Sequence, residues 1–182
     1  MARETVQIEG LDQLLERLKA LPPEVVSKRG GPVRTAVRKG AVVIQKQMQA
    51  NIRAFVSEPN SGGWPDESTG LMERSVKPIR MKAHRGGLKG ESYLVTIPRR
   101  VRYPADKRTP SGIPVAVIAR IHEYGPSMTF KRGPLKGRTI KYKERRWARN
   151  AFHAKKGEAA EVMRDELLKG VDRVVRKLER GR

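Results

Sequence analysis

The feature that most constrains the fold of this sequence is a periodic apolar pattern over residues 32–55. Apolar side chains recur there every three or four residues, the spacing that gathers them on one face of an α-helix. They are Val33, Val37, Ala41, Ile44, Met48, Ile52 and Phe55. Pro32 suits the first turn of a helix, where its missing N–H would have no intrahelical partner. The sequence therefore predicts a long amphipathic helix as the main element of the core.

A second long pattern occupies residues 146–180. Its apolar positions are Phe152, Ala160, Met163, Leu167, Val171, Val174 and Leu178. Acidic residues gather early in this segment and basic residues late, which complements the dipole of a helix. We therefore expect a long C-terminal helix that packs its apolar face on the core.

Shorter segments surround these two helices. The sequence predicts a short strand and helix over residues 5–21, a polar loop over 56–70, a sheet within 76–125 and a basic loop over 126–144. The sheet is assigned from apolar runs at 76–83, 93–97 and 115–121, and it contains a loop over 98–113. The last run fits a strand or a short helix equally well.

This order of elements predicts an α+β fold. We expect a small antiparallel sheet of three or four strands, packed by the long central helix and the long C-terminal helix, with extended basic loops. The 182 residues fit a single domain. No apolar run approaches the roughly 20 residues that cross a bilayer, and residues 1–10 lack the apolar region of a secretory signal, so we expect no membrane partner.

The charge of the chain is strongly one-sided. Its 40 Lys and Arg against 19 Asp and Glu give a net charge of +21. Such an imbalance repels itself within a lone domain, and a polyanion such as nucleic acid or an acidic protein surface relieves it. The same charge also keeps an assembly subunit soluble before it docks. The candidate contacts in the basic loops are Arg99, Arg100, Arg102, Lys107, Arg108, Lys131, Arg132, Lys136, Arg138, Lys141 and Lys143.

The sequence offers no pattern that carries catalysis. His84, His122 and His153 lie far apart, and there is no cysteine to complete a metal site. No glycine pair follows a strand and opens a helix as a phosphate-binding loop requires, and the acidic residues are scattered. We therefore expect no enzymatic activity, no metal and no cofactor.

Several stretches, in order along the chain, resemble the HK97-type tail-component family of tailed phages, also called tail-completion or minor tail proteins. Residues 6–25 (VQIEGLDQLLERLKALPPEV) are similar to its opening strand, its EGLD letters and its leucine-rich helix. The resemblance covers nearly the whole chain. Its later motifs are carried by Gly70, Leu71, Glu123, Tyr124, Gly125, Arg146, Trp147 and Phe152.

The resemblance implies a structural virion protein of the phage neck, assembled in the host cytoplasm. Such proteins form a homo-oligomeric ring, usually of six subunits, that links the head connector to the tail tube. The implied partners are copies of the chain, connector or stopper proteins, tail-terminator or tube proteins, and packaged DNA in the channel. In such a ring we expect residues 34–53 and the C-terminal helix near the contacts between copies, and the basic loops facing the channel or an acidic neighbour.

Two departures from the family pattern stand out. The family has proline where this chain has Arg146 and Asn150, and the segment 126–143 is longer than usual. The Glu123-Tyr124-Gly125 motif also has a physical reading of its own as a structural corner. Gly125 permits a positive φ, the ring of Tyr124 can cover the core, and Glu123 can pair with an arginine of the 145–149 stretch.

Two other classes of function stay open at this point. A basic protein that binds nucleic acid on its own is the main alternative, and its affinity would fall steeply with salt even as a monomer. An enzyme such as a basic nuclease is the other. It would need acids or histidines that converge in space, and a test with plasmid DNA and magnesium would detect it.

Overall fold

The computed structural model describes residues 31–56, 70–81, 91–105, 110–129, 131 and 136–180. In chain order the elements are α1 (Pro32–Val56), α2 (Leu71–Ser75), β1 (Lys77–Arg80), β2 (Tyr93–Thr96), α3 (Val115–Tyr124), β3 (Ser127–Thr129), β4 (Thr139–Lys141) and α4 (Trp147–Arg180). Strand β1 pairs with β2 and β3 with β4, so the described residues hold two small antiparallel sheets and two long helices that pack together. The predicted α+β class and both long helices are confirmed.

The predicted sheet of three or four strands needs correction, because residues 115–124 form helix α3. The apolar run there buries Val115 and Ala119, four residues apart, and leaves Val117 exposed, which is a helical and not a strand pattern. Pro114 precedes the helix, and Gly125 ends it with a φ of 54° while its N–H donates to the Ile121 carbonyl at 2.8 Å. Helix α3 packs against α2.

The predicted basic loop over residues 126–144 also needs correction, because it contains the β3–β4 hairpin. Ser127 pairs with Lys141, Met128 with Ile140 and Thr129 with Thr139. The two threonine hydroxyls lie 2.8 Å apart and join the strands through their side chains. Thr and Ile are good strand formers. The two strands are short, however, and the surrounding Gly and Lys residues favoured the prediction of a loop.

The other predicted loop, over residues 98–113, is held together by backbone hydrogen bonds in its described parts. The Tyr103 N–H donates to the Ile113 carbonyl at 2.9 Å, and Arg102 forms an isolated bridge with Pro114. The N-terminal strand and helix, predicted over residues 5–21, lie outside the described residues, as do residues 57–69 and 82–90.

The chain divides into two compact units. The first comprises residues 1–44, 78–95 and 155–182, and the second residues 45–77 and 96–154. Helices α1 and α4 each contribute one part to each unit. The single domain expected from chain length stays a prediction.

In the first unit, α1 and α4 meet through small residues. Ala36 and Gly40 on α1 are buried, as are Ala159 and Ala160 on α4. Gly40 lies so close to α4 that a Cβ atom at this position would sit 2.9 Å from the Ala159 carbonyl oxygen. In this unit the buried face of α1 therefore differs from the predicted face, since Val33, Val37 and Ala41 are only half-buried.

In the second unit, the core is small and is held in place by side-chain amides of α1. Its fully buried side chains include Ile52, Val76 and Val115. The Gln45 amide donates to the Val76 carbonyl at 2.8 Å and the Asn51 amide to the Trp147 carbonyl at 2.9 Å. Each of these bonds ties an irregular or terminal backbone group to a helix side chain, which removes the cost of burying that group.

One predicted core residue of the C-terminal helix is wrong. Phe152 is 51% exposed, whereas its neighbour Ala151 is fully buried. The buried face of α4 in this unit starts at Trp147 and passes through Ala151, four residues later, so Phe152 is rotated away from it by one residue.

We predict that Gly40→Ala lowers the free energy of unfolding by about 1–3 kcal/mol, because the added methyl group forces the two helix backbones apart. Gly157→Ala on α4 is the matched control, since a Cβ atom there meets nothing within 4 Å. The control gains helix propensity and should be stabilised by up to about 1 kcal/mol. Urea unfolding monitored by circular dichroism measures both. Equal stabilisation of the two variants would contradict the close helix contact.

Candidate functional site

The Glu123-Tyr124-Gly125 motif forms a corner at which α3 ends and the start of α4 is fixed. The buried Glu123 carboxylate accepts hydrogen bonds from the Ala148 N–H at 2.8 Å and the Arg149 N–H at 3.1 Å. These are the second and third residues of α4, whose N–H groups have no partner within the helix. Glu123 therefore caps α4 from a distant position in the sequence, and its negative charge suits the positive end of the helix dipole.

The rest of this corner is built from backbone and indole contacts. The Trp147 Nε1–H donates to the Ala119 carbonyl at 2.9 Å, so the buried indole has its polar atom satisfied. Gly125 has the predicted positive φ, and a Cβ atom there would lie 2.6 Å from the Glu144 nitrogen. The corner thus needs glycine for two reasons, backbone conformation and space.

At this corner the structure differs from two expectations drawn from the sequence. Glu123 bonds to backbone N–H groups and not to an arginine side chain, although its charge helps to raise the pKa of Arg146 after the larger effect of the Glu144 hydrogen bond. Tyr124 is 59% exposed, so its ring does not cover the core of this unit. Adjacent side chains of a helix point in different directions, so Tyr124 faces solvent where its neighbour Glu123 is buried.

Arg146 has a backbone conformation that excludes the proline found there in the resembled family. Its φ is 48°, and it is the one described residue other than glycine with a positive φ. Proline is restricted to a φ near −65° and could not take this conformation. Its side chain pairs with Glu144, the Nε atom lying 2.8 Å from the carboxylate. The chain therefore enters α4 through a left-handed backbone conformation at Arg146.

A ring cluster lies on the other side of α3. The His122 ring lies against Phe55, with centroids 4.9 Å apart, and the Arg145 guanidinium lies 5.6 Å above the same phenyl ring. The Arg145 N–H also donates to the His122 carbonyl at 2.7 Å. Burial lowers the pKa of His122, and the charge of Arg145 lowers it further. His122 is therefore held in its neutral form and helps to pack the corner.

The candidate basic contacts are largely exposed in this second unit. Exposed are Arg99, Arg100, Arg102, Lys131, Lys136, Arg138, Lys141 and Lys143, whereas Lys107, Arg108 and Arg132 lie outside the described residues. Arg102 has a structural task, because its guanidinium donates to the carbonyls of Ser111 at 3.2 Å and Gly112 at 3.1 Å. Lys136 and Arg138 precede the second strand of the β3–β4 hairpin, and Lys141 is the last residue of that strand.

The hairpin itself is exposed over both strands. Its central cross-strand pair is apolar, with Met128 41% and Ile140 37% exposed. A two-stranded hairpin without a covering layer is marginally stable in water. An exposed apolar pair with basic neighbours on such a hairpin is suited to contact with another molecule.

Sequence reasoning missed two further features. Asn51 and its bond to the Trp147 carbonyl had no sequence signal, because an amide on a helix face has many possible partners. A pocket in the first unit lined by Arg34, Arg38 and Arg80 was also missed, although the four-residue spacing of the two α1 arginines was a usable signal.

Among the described residues, no group of three or more His, Cys, Asp or Glu residues is placed to hold a metal ion. No helix in these ranges has the length and apolar character to cross a membrane. Comparison of the chain with models of known protein families, with curated proteins and with solved structures gives no match.

We predict that Glu123→Gln lowers the free energy of unfolding by about 1–2 kcal/mol, because an amide offers one acceptor oxygen where the carboxylate offers two. Glu144→Gln is the control, since it removes an exposed carboxylate of the same corner and an ion pair of small worth. Denaturant unfolding distinguishes them. If both variants lose the same stability, the capping role of Glu123 is wrong.

The lowered pKa of His122 predicts a loss of stability in acid. The folded protein favours neutral His122, so this contribution is complete above the ordinary histidine pKa of 6.5 and declines as the pH falls below that value. We expect His122→Phe to flatten the fall in Tm between pH 6.5 and about 5. His153→Gln removes an exposed histidine and should keep the parental fall. An unchanged pH profile in His122→Phe would refute the assignment.

Proposed function

We propose that the chain is a structural virion protein of a tailed phage, a ring-forming neck or tail-completion subunit that links the head connector to the tail tube. The proposal assigns it no enzymatic activity. It draws on the ordered sequence motifs described above and on one structural observation, the exposed β3–β4 hairpin with its Met128–Ile140 pair. That hairpin carries its central apolar pair exposed to solvent on a two-stranded sheet, which is marginally stable without a covering surface.

The second unit as a whole supports an assembly role. Beyond the hairpin pair, it exposes the large apolar side chains Ile113, Val117, Tyr124 and Phe152. Single exposed apolar residues are ordinary, and the proposal takes these, with the hairpin pair, as candidates for surface that becomes buried in an assembly. Ring formation uses two different patches of each subunit, which accommodates a hairpin that docks on a non-identical surface of the next copy.

The charge of the chain bears on how such a ring forms. Copies that carry +21 each repel one another, and the repulsion between exposed charges is screened as ionic strength rises. Association between copies should therefore strengthen from low to moderate salt. Binding of a polyanion follows the opposite trend, because salt opposes the release of counterions. Self-association that strengthens with salt would therefore support assembly, and it is measured separately from any binding of nucleic acid, whose affinity falls with salt.

We predict that the purified chain associates in a concentration-dependent manner at moderate salt, and that the double variant Met128→Ser with Ile140→Ser weakens this association at least about tenfold, through the lost burial of two apolar side chains. Sedimentation equilibrium measures the masses. The matched control is Ile79→Ser with Leu94→Ser on the β1–β2 sheet, two apolar side chains of comparable exposure, 39% and 50%.

The control tests whether any exposed apolar pair has the same effect. Equal weakening in the two double variants would remove the special role of the hairpin. A parent protein that stays monomeric at all concentrations and salt levels would count against the ring itself.

A further inference from the structure

The first unit contains an open pocket of about 640 Å³ between α1 and the β1–β2 sheet. Helix α1 contributes Arg34, Thr35, Arg38 and Lys39, and the sheet contributes Arg80 and Tyr93. Arg34 and Arg38 are four residues apart and so project from the same face of the helix. Four cationic side chains and two hydroxyls therefore converge on one space, and none of the described side chains that line it is acidic.

The four cations are not equivalent. Arg80 is held by Glu91, with its Nε atom 2.7 Å from one carboxylate oxygen and an Nη atom 2.5 Å from the other. Lys39 is paired with Glu166 of α4 at 2.7 Å. Arg34 and Arg38 have no ion-pair partner among the described residues, although the charge of Arg34 contributes to lowering the pKa of Glu91 after the larger effect of Arg80. The two paired cations are positioned, and the two remaining guanidinium groups are available to a ligand.

The chemistry of the lining selects an acceptor-rich anion. Guanidinium groups are donors only, and they match the oxygen pairs of phosphate in bidentate fashion. The hydroxyls of Thr35 and Tyr93 can add donors of the kind that contact phosphates in nucleic-acid complexes. An acidic peptide would bring backbone N–H groups that require acceptors, and no described residue of the pocket lining carries a carboxylate to supply them. A phosphodiester backbone brings acceptors and negative charge without that cost.

The size of the pocket and the net charge of the chain also favour an extended anionic ligand. The pocket volume is within the range of about 300–1,000 Å³ that organic ligands occupy, and far exceeds what one carboxylate fills. Two arginines on successive turns of a helix can contact successive charged groups of an extended ligand. A chain with a net charge of +21 also attracts polyanions from a distance.

We propose that this pocket is a nucleic-acid contact, in which Arg34 and Arg38 bind the phosphodiester backbone without reading its bases. The site belongs to the first unit alone and is separate from the basic hairpin of the second. It does not require ring formation, so a monomer binds as well. Single strand and duplex offer the same phosphate chemistry, and the two are distinguished by measurement.

The experiment is fluorescence anisotropy with the full chain and labelled 20-nucleotide single-stranded DNA or 20-base-pair duplex, across a salt series. The test variant is Arg34→Gln with Arg38→Gln, and the matched control is Arg138→Gln with Lys141→Gln on the hairpin, which removes equal charge. We expect the test variant to bind at least about tenfold more weakly. The slope of log K against log salt should fall by about 1.4 with the single strand or about 1.8 with the duplex, and the form that the parent protein binds more tightly is the preferred ligand.

A second variant separates specific contact from charge. Arg34→Lys with Arg38→Lys keeps both charges but loses the bidentate geometry, so we expect weaker binding with an unchanged salt slope. Circular dichroism checks that each variant is folded, which is expected because neither arginine holds an ion pair with another described residue.

Four outcomes overturn the proposal. Equal loss in the test and hairpin variants shows non-specific attraction, and greater loss in the hairpin variant places the contact elsewhere. Absence of binding to either DNA by the parent protein also rejects it, as does equally tight binding of a mononucleotide, which would assign the pocket to a small phosphate ester. None of these results depends on the oligomeric state, which sedimentation reports separately.

Discussion

The close approach of α1 and α4 at Gly40 is the constraint on which the first unit depends. With glycine and alanine at the contact, the backbones come close enough that a side chain at residue 40 has no room beside the Ala159 carbonyl. Gly170 repeats the arrangement further along α4, where a Cβ atom would lie 2.6 Å from Pro32. Small residues at both places gain dispersion contacts between backbones in a chain that has few large apolar side chains to bury. The outer faces of both helices remain free for charge.

In the second unit, polar groups have the organising role that large apolar side chains have in most cores. Glu123 caps α4, Asn51 bonds to the Trp147 carbonyl, and the Trp147 indole bonds to the Ala119 carbonyl. Each bond satisfies a group that would otherwise be buried without a partner, and directional bonds fix geometry more narrowly than apolar contact does. No buried side-chain polar atom in the described part of the chain lacks a partner. A small core is sufficient here because hydrogen bonds specify its arrangement.

The elements with strong local signals were predictable from the sequence, and the contacts between distant residues were not. Helix α1 was predicted over 32–55 and spans Pro32–Val56, because 25 residues of regular apolar spacing leave little ambiguity. The run at 115–121 was undecided because seven apolar residues suit either state. The positive φ of Gly125 was predictable from residue type, but the use of Glu123 as a cap for α4 was not, since it joins residues 25 positions apart. Phe152 was wrongly expected in the core because its aromatic character suggested burial. Its position on α4 lies beside the buried face and not on it.

The distribution of acidic residues explains why the excess positive charge is directed outward. Many acids of the described residues are already committed to nearby cations, as in the pairs Arg53–Glu73, Arg80–Glu91, Arg146–Glu144 and Lys39–Glu166. Exposed pairs of this kind add little stability, so their main effect is to fix side-chain positions. The cations left over, such as Arg38 in the pocket and Arg138 on the hairpin, cannot be neutralised within the chain, because 40 cations face 19 acids. Their field extends about 8–10 Å into solvent before salt screens it, and a polyanion or an acidic neighbour is what lowers their electrostatic free energy. The same excess that opposes self-association is therefore compatible with the proposed role, in which nucleic acid or acidic protein lies beside each copy.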